Sequence, residues 1–212
     1  MKYLVFSDVH GNLPALEAVL KKEKDVSGYI NLGDVVNYGP WSNECVELID
    51  SLDNCINIVG NHEDYFISGT CGVKNPLVLA FFEKTFSDFD QSEKISRYKK
   101  SLKFKDFQLI HTLGEKDYIF RDSKVDLQDN SFIGHSHQQY IRYFNNFFLG
   151  NPGSIGQNRN FINISNYIIW DTESGEFQMK SLPYDLDYLL IEMEKRKYPV
   201  ECIDYYRNKK KF

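Results

Sequence analysis

The sequence holds five histidines, His10, His62, His111, His135 and His137. Each follows a short apolar run of the kind that forms a strand. In open parallel α/β sheets, ligands bind beyond the carboxyl ends of the strands, so side chains placed there can meet. Asp8-Val9-His10 puts two ligand-type side chains at i and i+2, which in extended backbone point to the same side. His135-Ser136-His137 repeats the spacing. Gly33-Asp34 and Gly60-Asn61 each place an oxygen donor directly after a glycine, which permits a sharp turn and close backbone approach.

The candidate ligands are then Asp8, His10, Asp34, Asn61, His111, His135 and His137. They are carboxylates, imidazoles and one amide, with no thiolate. Mixed nitrogen and oxygen donors suit manganese, iron, zinc or similar ions rather than a structural zinc knot. Seven groups are too many for one tetrahedral ion. They suit two ions about 3.5–4 Å apart, with one carboxylate between them. Two divalent ions less two carboxylates leave about two positive charges, enough to attract a phosphate. That local field operates even though the whole chain carries a net charge of −5.

The elements that must position these residues begin with an alternation. Tyr3-Leu4-Val5-Phe6 reads as a strand, and Leu13 to Lys24 as a helix with Leu13, Leu16, Val19 and Leu20 on one face. Gly28 to Leu32 follows as a strand. A second helix carries Val46, Ile49 and Leu52, with Ser42 or Asn43 as its cap, and Cys55 to Val59 is a third strand. This order implies parallel pairing with right-handed crossovers. Pro76 to about Leu102 reads as two helices, the run Leu77 to Phe82 being core. The remainder is strand-rich: Phe107–Ile110, Tyr118–Phe120, Ser131–Ile133, Tyr140–Phe144, Phe147–Leu149, Tyr167–Trp170 and Phe177–Lys180. Tyr188 to Lys195 reads as a helix, and Lys209-Lys210-Lys211 as a solvated charge run.

Composition narrows the function. The length of 212 residues predicts one domain, residues 1–212. With 15% aromatic residues the chain has too many buriable rings to be disordered. Its acidic balance counts against a nucleic-acid partner. The longest apolar run is six residues, which excludes a membrane span in this sequence and makes a membrane partner unexpected. Cys45, Cys55, Cys71 and Cys202 form no Cys-x-x-Cys pair and read as reduced thiols, which with no export signal gives a cytoplasmic expectation.

The motif string Asp8-x-His10, Gly33-Asp34, Gly60-Asn61-His62-Glu63, His111 and Gly134-His135-x-His137 resembles the calcineurin-like metallophosphoesterases. Asn151 to Gln157, His10-Gly11-Asn12 and Tyr38-Gly39-Pro40 resemble the small single-domain bacterial and archaeal phosphodiesterase branch. The resemblance implies an α+β sandwich: two mixed β-sheets packed together and flanked by helices, in four layers. It implies two divalent transition-metal ions, manganese first, with iron, nickel or zinc as alternatives. One ion would take Asp8, His10, Asp34 and His137. The other would take Asp34, Asn61, His111 and His135, with Asp34 bridging. His62 and Asn61 are the implied catalytic residues, His62 standing unligated beside the phosphate.

The expected activity is hydrolysis of a phosphodiester or phosphomonoester of a small molecule by a hydroxide between the ions, His62 assisting the leaving group. Tyr38 and Arg159 are candidate substrate contacts, and Trp41 either stacks on a ring or packs. Phosphoprotein and dinucleoside tetraphosphate enzymes of the family carry Asp-Arg-Gly where this chain has Asn37-Tyr38-Gly39, which argues against both substrates. An amide also cannot stabilise an imidazolium at His62 as a carboxylate does. The competing readings are a nuclease on short nucleic acids and a non-catalytic protein-binding scaffold on the same fold. Oligomeric state is left open.

Overall fold

The computed structural model describes residues 1–114, 118–144 and 146–212. The alternating start forms as expected: β1 (Lys2–Phe6), α1 (Leu13–Lys22), β2 (Gly28–Asn31), α2 (Ser42–Asp50) and β3 (Cys55–Asn57). Then come α3 (Asn61–Ser68), α4 (Pro76–Phe86), α5 (Ser92–Ile95), β4 (Ser101–Phe104), β5 (Phe107–Ile110) and β6 (Asn130–Phe132). The chain continues through β7 (Gln139–Phe144), β8 (Phe147–Pro152), β9 (Ile164–Asp171), β10 (Glu176–Pro183), α6 (Leu186–Lys195) and α7 (Val200–Arg207).

Two mixed five-stranded sheets result, in the orders β10-β9-β1-β2-β3 and β4-β5-β6-β8-β7, flanked by helices. β1, β2 and β3 pair in parallel, and β9 returns antiparallel to β1. Side-chain alternation decides the layering. Val5, Ile168 and Trp170 point between the sheets, where they meet Leu109, Phe132 and Phe148. Their neighbours Leu4, Phe6, Tyr167 and Ile169 point the other way, into a core shared with Leu16, Val46, Phe81, Leu189 and Tyr206 from the helices. The far face of the second sheet packs Ile133, Tyr140 and Leu149 against Ile119 and Leu127.

Three expectations fail for local reasons. Residues Tyr118–Phe120 form no strand, because their backbone is satisfied elsewhere. The Phe120 N–H donates to Ser123 Oγ at 2.9 Å, and the Ile119 carbonyl accepts from Tyr140 Oη at 2.9 Å. Neither Ser42 nor Asn43 caps α2; Ser42 lies within the helix and its Oγ accepts from the Asn37 N–H at 3.0 Å. Leu102 belongs to β4 rather than to a helix, since Ser101–Phe104 pairs with β5 as a hairpin. The terminal lysines are solvated as expected, Lys210 and Lys211 being exposed, while the backbone there is tied down. The Lys210 carbonyl accepts from the Ile162 N–H at 2.9 Å, and Phe212 N–H donates to Asn163 Oδ1 at 2.9 Å. Helices α3 and α7 were not foreseen.

Candidate metal centre

All seven candidate ligands come to one end of the two sheets, just beyond β1, β2, β3, β5 and β6. Their backbone is unusual. Asp8, His10, Asp34, His135 and His137 all have positive φ, between 50° and 65°. Extended backbone therefore does not explain the i, i+2 pairs. Each pair sits in a tight left-handed turn, a conformation that costs free energy outside glycine and collects at functional sites. The turns also split the second pair: His137 joins Asp8 and His10, whereas His135 joins Asp34 and His111. A further set, His10, Asp34 and His62, links the two, so Asp34 adjoins both. Within each set the potential ligand atoms lie within 4.8 Å of one another.

Glycines allow this crowding. A Cβ on Gly60 would stand 2.1 Å from Asp34 Oδ1, and one on Gly134 would stand 2.1 Å from Ser7 Oγ. Any side chain at either position would push the ligand turns apart.

Three imidazoles are anchored by backbone carbonyls. Nδ1 of His10, His111 and His137 faces the carbonyls of Val36, Leu32 and Gln157 at 3.3, 2.7 and 2.8 Å. A carbonyl can only accept, so each Nδ1 carries the proton and each Nε2 faces inward. The two aspartates are held in the same way. Asp8 Oδ2 accepts from the His135 N–H at 3.1 Å, and Asp34 Oδ1 from the His62 N–H at 2.9 Å. One oxygen of each is left for the centre.

The electrostatics follow from burial among like and unlike charges. Burial opposes ionisation of Asp8, but His137, with Nε2 at 3.1 Å from Oδ1, outweighs it and brings the carboxyl down to about 2. Burial likewise opposes ionisation of Asp34, and His111 overcomes it, holding the carboxyl well below its usual range. Burial works against charge on His111 too, yet Asp34, with Oδ2 at 3.2 Å, raises its pKa to about 10. Burial and His137 hold His10 well below the usual imidazole value. Burial and His111 lower His135 to about 4.

The donor set suits a cation, as its unsatisfied atoms show. Among the described residues, five buried side-chain polar atoms have no hydrogen-bond partner, and four belong here: Asp8 Oδ1, Asn61 Oδ1, His111 Nε2 and His135 Nε2. His10 Nε2 and His137 Nε2 face each other at 3.2 Å. A proton on one of the two makes this contact a hydrogen bond, and a cation between them would take its place. Buried polar atoms gathered without hydrogen-bond partners cost free energy unless a cation lies among them, and the arrangement fits divalent metal.

Structure adds three residues to which the sequence assigned no role. Glu63, fully buried, accepts from four backbone N–H groups: Asp34 and Gly60 at 2.7 Å on one oxygen, Val35 at 2.7 Å and Val36 at 3.2 Å on the other. It ties the Asp34 turn to the start of α3. Burial and Asp34 push its carboxyl up to about 7, against the pull of the Gly60 and Asp34 N–H donors. Asn37 Nδ2 lies 2.8 Å from Nδ1 of His62, and Thr85 Oγ1 donates to Asn37 Oδ1 at 3.1 Å. Glu63 was visible as part of the Gly60-Asn61-His62-Glu63 string. Asn37 was visible as the departure from Asp-Arg-Gly. Nothing local marked Thr85, which arrives from α4.

The two candidate substrate contacts differ. Tyr38 packs edge-on against His10, with ring centroids 4.8 Å apart, and lies 5.3 Å from the His62 ring. Arg159 is exposed and reaches Tyr38 and Tyr205 only electrostatically. Trp41 packs: it is buried and stacks on Tyr188 at 5.4 Å.

This combination of paired mixed sheets and an Asp/His/Asn cluster beyond the strand ends is that of a metallophosphoesterase. Residues 1–170 match the family described as calcineurin-like phosphoesterase, and the chain belongs to that family. It is 33% identical to protein MJ0912 of Methanocaldococcus jannaschii, over 92% of this chain and 93% of the relative. It is similar in structure to a metallophosphoesterase from Sphaerobacter thermophilus, with a TM-score of 0.81 at 24% identity and 98% coverage of each chain. Protein PH1004 from Pyrococcus horikoshii is similar to the same degree, with a TM-score of 0.81 at 18% identity and 97% coverage of each chain.

Proposed function

We propose that the protein is a metal-dependent hydrolase of phosphoesters carried by a small molecule, working through two divalent ions. The observation that carries this reading is the 3.2 Å approach of two inward-facing Nε2 atoms beside an unpartnered Asp8 oxygen. Bound there, manganese, or iron, nickel or zinc in its place, would supply Lewis acidity toward water and the phosphoryl oxygens. Asp8, His10, Asp34 and His137 would hold one ion, and Asp34, Asn61, His111 and His135 the other.

The chain's own part is preorganisation. Carbonyl-anchored imidazoles and N–H-anchored carboxylates keep the donor atoms in place without reorganisation during the reaction. Burial lowers the pKa of His62, which favours the neutral ring. Asn37 donates to its Nδ1, which leaves the proton on Nε2. His62 therefore serves as a hydrogen-bond donor toward the phosphate or the departing oxygen. The sequence allowed either proton transfer or hydrogen bonding, and this geometry favours hydrogen bonding.

The test combines metal analysis with hydrolysis of bis-p-nitrophenyl phosphate. We expect bound divalent metal, activity lost on chelation and restored by manganese, and no activity in Asp34→Asn with its circular dichroism unchanged. Turnover by metal-free protein, or by Asp34→Asn at the parent rate, would end the reading.

A further inference from the structure

A cleft of about 920 Å³ opens beside the candidate centre, within the size range of small-molecule sites. Asn61, His62, His111 and His135 form its floor. One wall rises from α3 and the loop after it, with Tyr65, Ile67 and Val73; the other carries Tyr118. These walls are mostly apolar. Ile67 is 46% exposed, Val73 37% and Tyr118 51%, so the apolar surface faces open space beside the site where charge is handled.

The aromatic groups are arranged rather than scattered. The Tyr118 ring stacks on His135 with centroids 4.2 Å apart and planes 22° apart. Tyr65 packs edge-on against His62 at 5.4 Å. Tyr118 thus covers His135 and stays half exposed in the cleft, whereas Tyr65 lies buried against His62. Among the described residues, Lys100 is the one lysine or arginine of the lining, and Asp64 offsets it. A polyphosphate or a nucleic-acid backbone would find no run of cations to follow. A flat apolar group would gain dispersion, ring contact and area removed from water.

We propose that this cleft receives a planar ring borne by the substrate, so that the protein acts on phosphoesters of low charge carrying an aryl group or nucleobase. This rests on the phosphoesterase reading above, since the phosphoryl group must sit at the centre for the ring to lie in the cleft beside Tyr118.

The experiment is calorimetric binding of two unreactive probes, phenylphosphonate and methylphosphonate, to the manganese-loaded protein. Phenylphosphonate should bind about ten-fold or more tightly, a difference of about 1.4 kcal/mol. Tyr118→Leu and Val73→Asp should each cut that ratio to about two or below, while Tyr118→Phe keeps it. Val73 is not among the candidate ligands, so its variant tests the wall without altering His135. Displacement of phenylphosphonate by adenosine monophosphate, but not by ribose 5-phosphate, would identify the ring as a nucleobase; displacement by neither would identify it as aryl. Equal binding of the two phosphonates by protein that hydrolyses bis-p-nitrophenyl phosphate would overturn this inference and leave the phosphoesterase reading standing. So would an undiminished ratio in both wall variants. Absence of both binding and hydrolysis would remove the phosphoesterase reading, and this inference with it.

Discussion

The side-chain amide nitrogen of Asn37 lies 2.8 Å from Nδ1 of His62. The amide cannot turn over, because Asn37 Oδ1 already accepts from the Tyr38 N–H at 2.7 Å and from Thr85 Oγ1 at 3.1 Å. Nδ1 of His62 must therefore accept, and Nε2 carries the proton. A residue outside the candidate ligand set thus fixes the tautomer of His62.

The first prediction concerns leaving groups. A neutral imidazole stabilises a departing oxygen but does not readily surrender its proton. Hydrolysis should then fall steeply as the leaving group becomes more basic. Asn37→Asp keeps both donors to the side chain and presents a carboxylate to Nδ1, which favours imidazolium. That variant should gain about 10²-fold on alkyl esters relative to p-nitrophenyl esters, the scale of general-acid assistance. Rates across a series of leaving groups check this. A parallel change on every ester would show that Asn37 does not act through His62.

Metal uptake should release protons. His111 is raised to about 10 in the metal-free protein, so at pH 7 it holds a proton that a metal ligand cannot keep. Titrating manganese at pH 7 in buffers of different ionisation enthalpy should show about one proton released per protein, and the affinity should rise about ten-fold per pH unit there. Uptake without proton release would contradict the His111 assignment.

The same pair gives the metal-free protein a pH profile. A folded pKa raised from 6.5 to about 10 contributes stability that is complete below pH 6.5 and lost as the pH rises through about 10. Melting temperature in chelator should therefore decline between these limits. Asp8 has the opposite sign. Lowered to about 2 from 3.8, it contributes above pH 3.8 and loses that contribution as pH falls through about 2. A melting temperature that climbs from pH 6.5 to 10 would refute the first half.

Glu63→Gln should destabilise the site and the fold together. Its two oxygens serve four N–H donors, and an amide NH₂ in place of either oxygen strands two of them. At about 1–3 kcal/mol for each buried unpaired group, the loss is about 3 kcal/mol, or roughly 6–12 °C in melting temperature for a domain of this size. Thermal melts in chelator and in manganese check it. Metal affinity should fall as well, since the Asp34 turn loses its tie to α3.

Much of this was written in local order along the chain. The strand-and-helix alternation to residue 59 follows from apolar spacing, because each element there buries one face against the next. The candidate ligands were legible because histidine, carboxylate and amide gather in short motifs, and the turns that hold them advertise themselves with Gly33, Gly60 and Gly134. What sequence alone could not give is how the two histidines of His135-Ser136-His137 part company. Extended backbone would send both to one side; left-handed turns, supported by Gln157 behind His137 and by the Asp8 contact of the His135 N–H, send them to different ligand sets. Nor could local pattern show that Thr85, 48 residues beyond Asn37, completes the hydrogen bonds that orient His62. Chain chemistry determined which atoms can bind; long-range packing, in which a carbonyl or hydroxyl from a distant element fills each remaining hydrogen bond, decided which way those atoms face.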